Sequence, residues 1–128
     1  MQVLFEAIWN RFKATPLNGK LTEMYNTEAK PDAVFPYGVF ALISDVADWT
    51  FTEEGEDCLI QFNLFSKESV ANEVCDAFEA LKAAFDFHDL IVAGYETVTL
   101  ERQVANLVRV EKVWQFNVTY KLVIEKGE

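Results

Sequence analysis

The chain has 128 residues, 51% of them hydrophobic and 14% aromatic, with 11 basic against 21 acidic residues for a net charge of −10 at pH 7. That apolar content excludes a disordered chain, and the length suits one domain with one core, spanning residues 1–128. The acidity argues against sequence-specific nucleic-acid binding and against adhesion to an anionic membrane, since both need a basic surface.

The N-terminal stretch interleaves charges with apolar residues, which predicts a helix over 3–14 and no targeting signal. No apolar run approaches the ~20 residues of a membrane span. Leu4, Ala7, Ile8 and Phe12 make the helical stripe, and Phe5 with Trp9 adds a second apolar face. Thr15-Pro16 ends the helix. A short strand is expected over 21–25. A polar connection containing Pro31 follows, and then the run GVFALIS, apolar on both faces, as in a strand covered on two sides.

Residues 45–57 are acidic. Between Lys30 and Lys67 there is no basic residue, but there are seven acids: Asp32, Asp45, Asp48, Glu53, Glu54, Glu56 and Asp57. Trp49 and Phe51 alternate with threonines before Glu-Glu-Gly-Glu, predicting a projecting hairpin with Gly55 at a positive-φ turn position. Cys58, Ile60, Phe62 and Leu64 then alternate with polar residues, the pattern of a half-buried strand. Ser66 stands as the N-cap of a helix starting at Lys67-Glu68, whose stripe is Val70, Val74, Phe78, Leu81 and Phe85.

A strand is expected over 90–102, and a bend or loop over 104–111. The clearest strand of the chain closes it: Trp114, Phe116, Val118, Tyr120, Leu122 and Ile124 face one way, with Gln115, Asn117, Thr119 and Lys121 opposite. The element order predicts an α+β domain, a mostly antiparallel sheet of four to five strands with two helices packed on one face.

Little in the sequence points to chemistry. His88 is the sole histidine and reads as a loop residue after a helix. Cys58 and Cys75 lie seventeen positions apart, without zinc-site spacing, and read as buried free thiols. Glu53, Glu54, Glu56 and Asp57 do not have the spacing of a calcium loop, and no glycine-rich phosphate loop is present. No catalytic residue, metal ligand or cofactor site is expected, and an enzyme is not.

The order of parts, with FPYGVFAL, DWTFTEEGEDCLIQFNLFS, the helix opening at Lys67-Glu68 and the closing VWQFNVTYKLVIE, resembles the tail-terminator proteins of long-tailed bacteriophages and prophages. These are also called tail completion or tail-to-head joining proteins. The resemblance covers nearly the whole chain, and Phe35-Pro36-Tyr37 and Gln61 to Ser66 are its most specific pieces. It implies a virion protein, present in the host cytoplasm before assembly, that caps the tail tube as a hexameric ring. Its partners would be itself, the tail-tube protein and a head-completion or connector protein. DNA would pass through an acidic lumen.

On that reading the interface candidates fall into three groups. The hairpin supplies Trp49, Phe51, Glu53, Glu54 and Glu56, and the first helix supplies Phe5 and Trp9. Arg102, Arg109 and Lys112 are the bases expected to meet a neighbour's acids. The alternatives are another head-tail connector or tail-tube protein, and a small-ligand-binding or hydrolytic α+β domain.

Overall fold

A computed structural model describes residues 2–49 and 54–127. Helix α1 spans Gln2–Ala14 and buries Leu4, Ala7, Ile8 and Phe12, the expected stripe. A 3-10 turn at Pro16–Gly19 follows, its Leu17 fully buried. Strand β1 is only Met24–Asn26, and a connection with a cis Phe35-Pro36 bond leads to β2, Tyr37–Trp49. Strand β3 is Glu54–Ser66, helix α2 is Asn72–Phe85, β4 is Tyr95–Val110 and β5 is Val113–Lys126.

The strands form one sheet in the order β1-β2-β3-β5-β4. Every pairing is antiparallel except the three-residue parallel ladder of β1 with β2. The α+β architecture is therefore as expected, with one parallel pair added.

Residues opposite one another in the ladder share a face of the sheet. One face carries Phe40, Phe62, Val118 and Ala105 in a row, with Leu64–Phe116 and Ile60–Tyr120 beside it. These side chains form a single core with the stripes of α1 and α2. At its centre Phe62 meets Phe85 at 4.9 Å and Tyr120 edge-on at 5.6 Å between ring centroids. The expected stripe of β5 is buried from Phe116 to Ile124, with Trp114 half-buried at its start.

The opposite face carries Lys121, Glu101 and Asp57 in the rows nearer the β2–β3 hairpin but no charged residue in the rows beyond. Three successive rows are Tyr37–Phe65–Gln115–Val108, Val39–Asn63–Asn117–Asn106 and Ala41–Gln61–Thr119–Val104. Gln115 Nε2 donates to Asn117 Oδ1 at 2.7 Å along this face.

Four sequence expectations are corrected. Helix α2 starts at Asn72, not Lys67. Ser66 does act as a cap, its hydroxyl accepting the Glu68 amide at 3.2 Å, but it caps a turn. The Glu68 and Ser69 carbonyls accept from Arg109 Nη1 at 3.3 and 3.4 Å, so they are held against β4. Val70, assigned to the helical stripe, consequently lies in this loop and is 57% exposed.

Residues 104–110 are not a bend. They continue β4 in register with β5 up to Val110↔Val113, and Glu111-Lys112 closes a two-residue hairpin with φ of 49° and 67°. The strand expected over 90–102 begins at Tyr95, after a loop that buries Leu90 and Val92. Finally, Gly55 stands inside β3, paired with Asp48 and Glu125, rather than at the hairpin turn.

Candidate assembly surface

The sheet has two free edges, and each is free over only part of its length. At one end, β1 covers β2 at Gly38–Phe40, and the Thr27 amide takes the Phe40 carbonyl at 2.7 Å. Past Phe40, β2 runs on to Trp49 paired only with β3. A bulge at Ile43 shifts the register, and Ile43, Asp45, Val46 and Ala47 are exposed. At the other end, the Phe87 amide donates to the Leu100 carbonyl at 3.0 Å and closes the first part of β4. Beyond a second bulge at Gln103, β4 continues as Val104–Val110, paired only with β5.

That second half of β4 is exposed on most positions, including Val104, Leu107, Val108 and Val110. A long edge strand with exposed apolar residues is a template for pairing with another chain, and bulges and charges are the usual devices for limiting such pairing. Sequence reasoning missed this edge because Ala105 alone of residues 104–110 is even half-buried, too little to show alternation.

The interface candidates separate in the structure. Phe5 packs on Phe40 with ring centroids 6.1 Å apart. Trp9 donates from Nε1 to Glu23 Oε1 at 3.1 Å. Together with Met24 and Phe40 they line an open groove of about 500 Å³ between α1 and β1. Arg102 lies 3.4 Å from Asp86 Oδ2, and Asp86 also accepts the Tyr120 hydroxyl. Arg109 stacks its guanidinium 4.7 Å from the Trp114 ring centroid. Lys112 is half of the β4–β5 turn. Phe51 and Glu53 lie outside the described residues, as do the side chains of Trp49 and Glu54.

Glu56 joins Asp45 and Cys58 in a cluster whose ligand atoms lie within 4.8 Å of one another. Burial first, and then the charges of Asp45 and Glu56, push the Cys58 thiol up to about 12. The protonated thiol donates to Asp45 Oδ1 at 3.7 Å. Cys75 is free and half-buried, so only one of the two thiols has the burial expected of both. His88 sits in the exposed turn after α2, its amide bonded to the Phe85 carbonyl.

The architecture is thus a one-sheet α+β domain with a helical layer, an open face with three uncharged rows, and two half-free edges. No family model matches the sequence, nor does any curated protein sequence. The fold is similar to that of a chain from a solved structure titled "Virion of native gene transfer agent (GTA) particle", at a TM-score of 0.75. The match covers 92% of this chain and 91% of that chain at 15% sequence identity, a level at which the likeness establishes the fold.

Proposed function

We propose that this chain is a structural protein of a phage-like virion, and within it the tail terminator. Copies form a ring, hexameric in this reading, that caps the tail tube, stops its growth and presents its other side to the head-completion or connector protein. The observation that carries the proposal is the near full-length fold likeness to a chain of a virion particle. The sequence resemblance to tail terminators narrows it to the tail end. Half-free sheet edges supply what a self-assembling subunit needs.

The net charge of −10 suits a ring through which DNA passes, because like charge keeps a polyanion from sticking to the wall. The protein would sit in the host cytoplasm before assembly and at the tail afterwards.

Electron microscopy of particles from cells lacking this chain tests the reading. Tails of uncontrolled length, without heads, are the expected result, with normal tails restored when the chain is supplied. Normal-length headed tails in its absence would refute the terminator role. Long tubes grown from the purified protein would instead identify a tube subunit.

A further inference from the structure

The free half of β4 and the free half of β2 match each other in a way that fixes a specific contact between copies. Within one copy β2, β3, β5 and β4 alternate in direction, so β4 is antiparallel to β2. Copies related by rotation therefore bring β4 of one against β2 of the next as an antiparallel pair, the ordinary geometry of a sheet extended across a subunit boundary.

The side chains then choose the register. Arg109 opposes Trp114 and so shares the helix-covered face, as does Asp45, which opposes the buried Cys58. Val108 opposes Gln115 and Val46 opposes Asp57, which puts both valines on the open face. A face-preserving antiparallel register that sets Arg109 opposite Asp45 also sets Val108 opposite Val46. Moving it by two residues either way breaks the Arg109–Asp45 match and, in one direction, puts Leu107 against Asp45. Val46 is 61% exposed and Val108 39% exposed. Arg109 uses only Nη1 for its bonds to the Glu68 and Ser69 carbonyls, and a guanidinium has further N–H groups to offer. The Cys58 thiol engages one oxygen of the Asp45 carboxylate.

We propose that β4 residues 106–110 of one copy pair antiparallel with β2 residues 44–48 of the next, with Arg109 opposite Asp45 and Val108 opposite Val46. The occupant of each edge is a second copy of this chain. The β4 edge carries Glu101 and Glu111 beside Arg102, Arg109 and Lys112, whereas the β2–β3 hairpin carries acids and no base, so Arg109 meets opposite charge most readily on β2. Such a contact joins two different surfaces, and repetition of it gives a ring when the rotation closes.

The two free halves lie at different heights along the sheet. Val108 shares its ladder row with Phe65 and Val46 shares its row with Asp57, eight residues along β3. The next copy is therefore displaced by roughly 26 Å along the strands, at ~3.3 Å per residue. Four strand spacings at ~4.8 Å, from β2 through β3, β5 and β4 to β2 of the next copy, span roughly 19 Å. The strands are then inclined by roughly 54° to the ring axis. This contact rests on the ring-forming reading and specifies its interface.

Full-length chains carrying Val108→Cys and Val46→Cys, each folded by circular dichroism, are mixed and slowly oxidised. A disulfide-linked heterodimer is expected, with at least ~10-fold less product when Val98→Cys, on the closed half of β4, replaces Val108→Cys. No heterodimer, or a Val108→Cys homodimer formed as readily, overturns the pairing.

As an independent arm, Arg109→Asp and Asp45→Arg should each weaken self-association at least ~10-fold, and their combination should restore it to within about threefold. Absence of rescue in folded protein also overturns the pairing. The two readings fail separately. Rings on tail tubes without the cross-link remove this contact and leave the terminator; a cross-linked chain that tails do not need keeps the contact and removes the terminator.

Discussion

Ser66 donates its hydroxyl proton to Glu73 Oε1 at 2.7 Å, tying the end of β3 to the first turn of α2 across a five-residue loop. Ser66 is also fully buried. Its oxygen accepts the Glu68 amide as well, so one hydroxyl serves both ends of the loop. Ser66→Ala leaves these groups without their partner and should lower the unfolding free energy by about 1–2 kcal/mol in urea titration. A loss under ~0.5 kcal/mol would mean that the hydroxyl is easily replaced by water.

Tyr120, Asp86 and Arg102 form a second polar link, between β5, the end of α2 and the edge strand β4. Tyr120→Phe keeps the ring packed on Phe62 and removes only the hydroxyl, with an expected cost of about 1–2 kcal/mol. Arg102→Ala removes a partly exposed ion pair and should cost less than ~1 kcal/mol after screening by solvent. In a double-mutant cycle the two should couple through Asp86; strict additivity would show that the carboxylate does not join them.

The buried acids of the core set the alkaline limit. Burial raises the Cys58 thiol from 9.0 to about 12, and burial followed by the Asp86 hydrogen bond raises the Tyr120 hydroxyl above its ordinary 10.0. Both groups keep their protons longer in the folded chain than in the unfolded one. The sign follows: stability is fully present below pH 9 and falls as pH rises from 9 toward 12, as the unfolded state loses protons that the fold retains. Equilibrium unfolding from pH 8 to 11 should show this decline, and Cys58→Ser should reduce it. A thiol reagent at pH 8 should modify Cys75 well before Cys58, and equal rates would contradict the burial of Cys58.

The β4–β5 hairpin turns on Glu111 and Lys112, both at positive φ without the glycine or asparagine such turns favour. Replacing them together by Asn-Gly should stabilise the fold by about 0.5–1 kcal/mol and raise the melting temperature by a few degrees. An unchanged or lower melting temperature would indicate that the Lys112 side chain holds the turn by contacts of its own.

That turn also explains what the sequence did and did not make legible. Where one face is buried, the alternation was plain, as in β3 and β5, and the α+β class with its helical layer followed from it. Residues 104–110 have only the half-buried Ala105 on the core side, too little to impose a period, and Glu111-Lys112 carries no turn residue, so the second half of β4 read as a loop. Ser66-Glu68 gave a true capping signal, but the cap closes a turn because Arg109, forty positions on, holds the next carbonyls. The edge surface was the hardest part to foresee. It depends on which strands end the sheet, and order within a sheet is not written in the periodicity of any one strand.

The three rows of the open face from Tyr37 to Val104 contain amides, a hydroxyl, aromatic rings and small aliphatic groups, and no charged side chain. Six of the 21 acids lie between Asp45 and Asp57, a stretch with no base, while Arg102, Arg109 and Lys112 stand with Glu101 and Glu111 at the opposite edge. Ionic strength therefore acts on the molecule unevenly. Salt will weaken whatever is held by the hairpin and the β4 edge, within a Debye length of about 8 Å at physiological concentration. Contacts made by the broad face between them, resting on hydrogen bonds and dispersion, will change little across the same range.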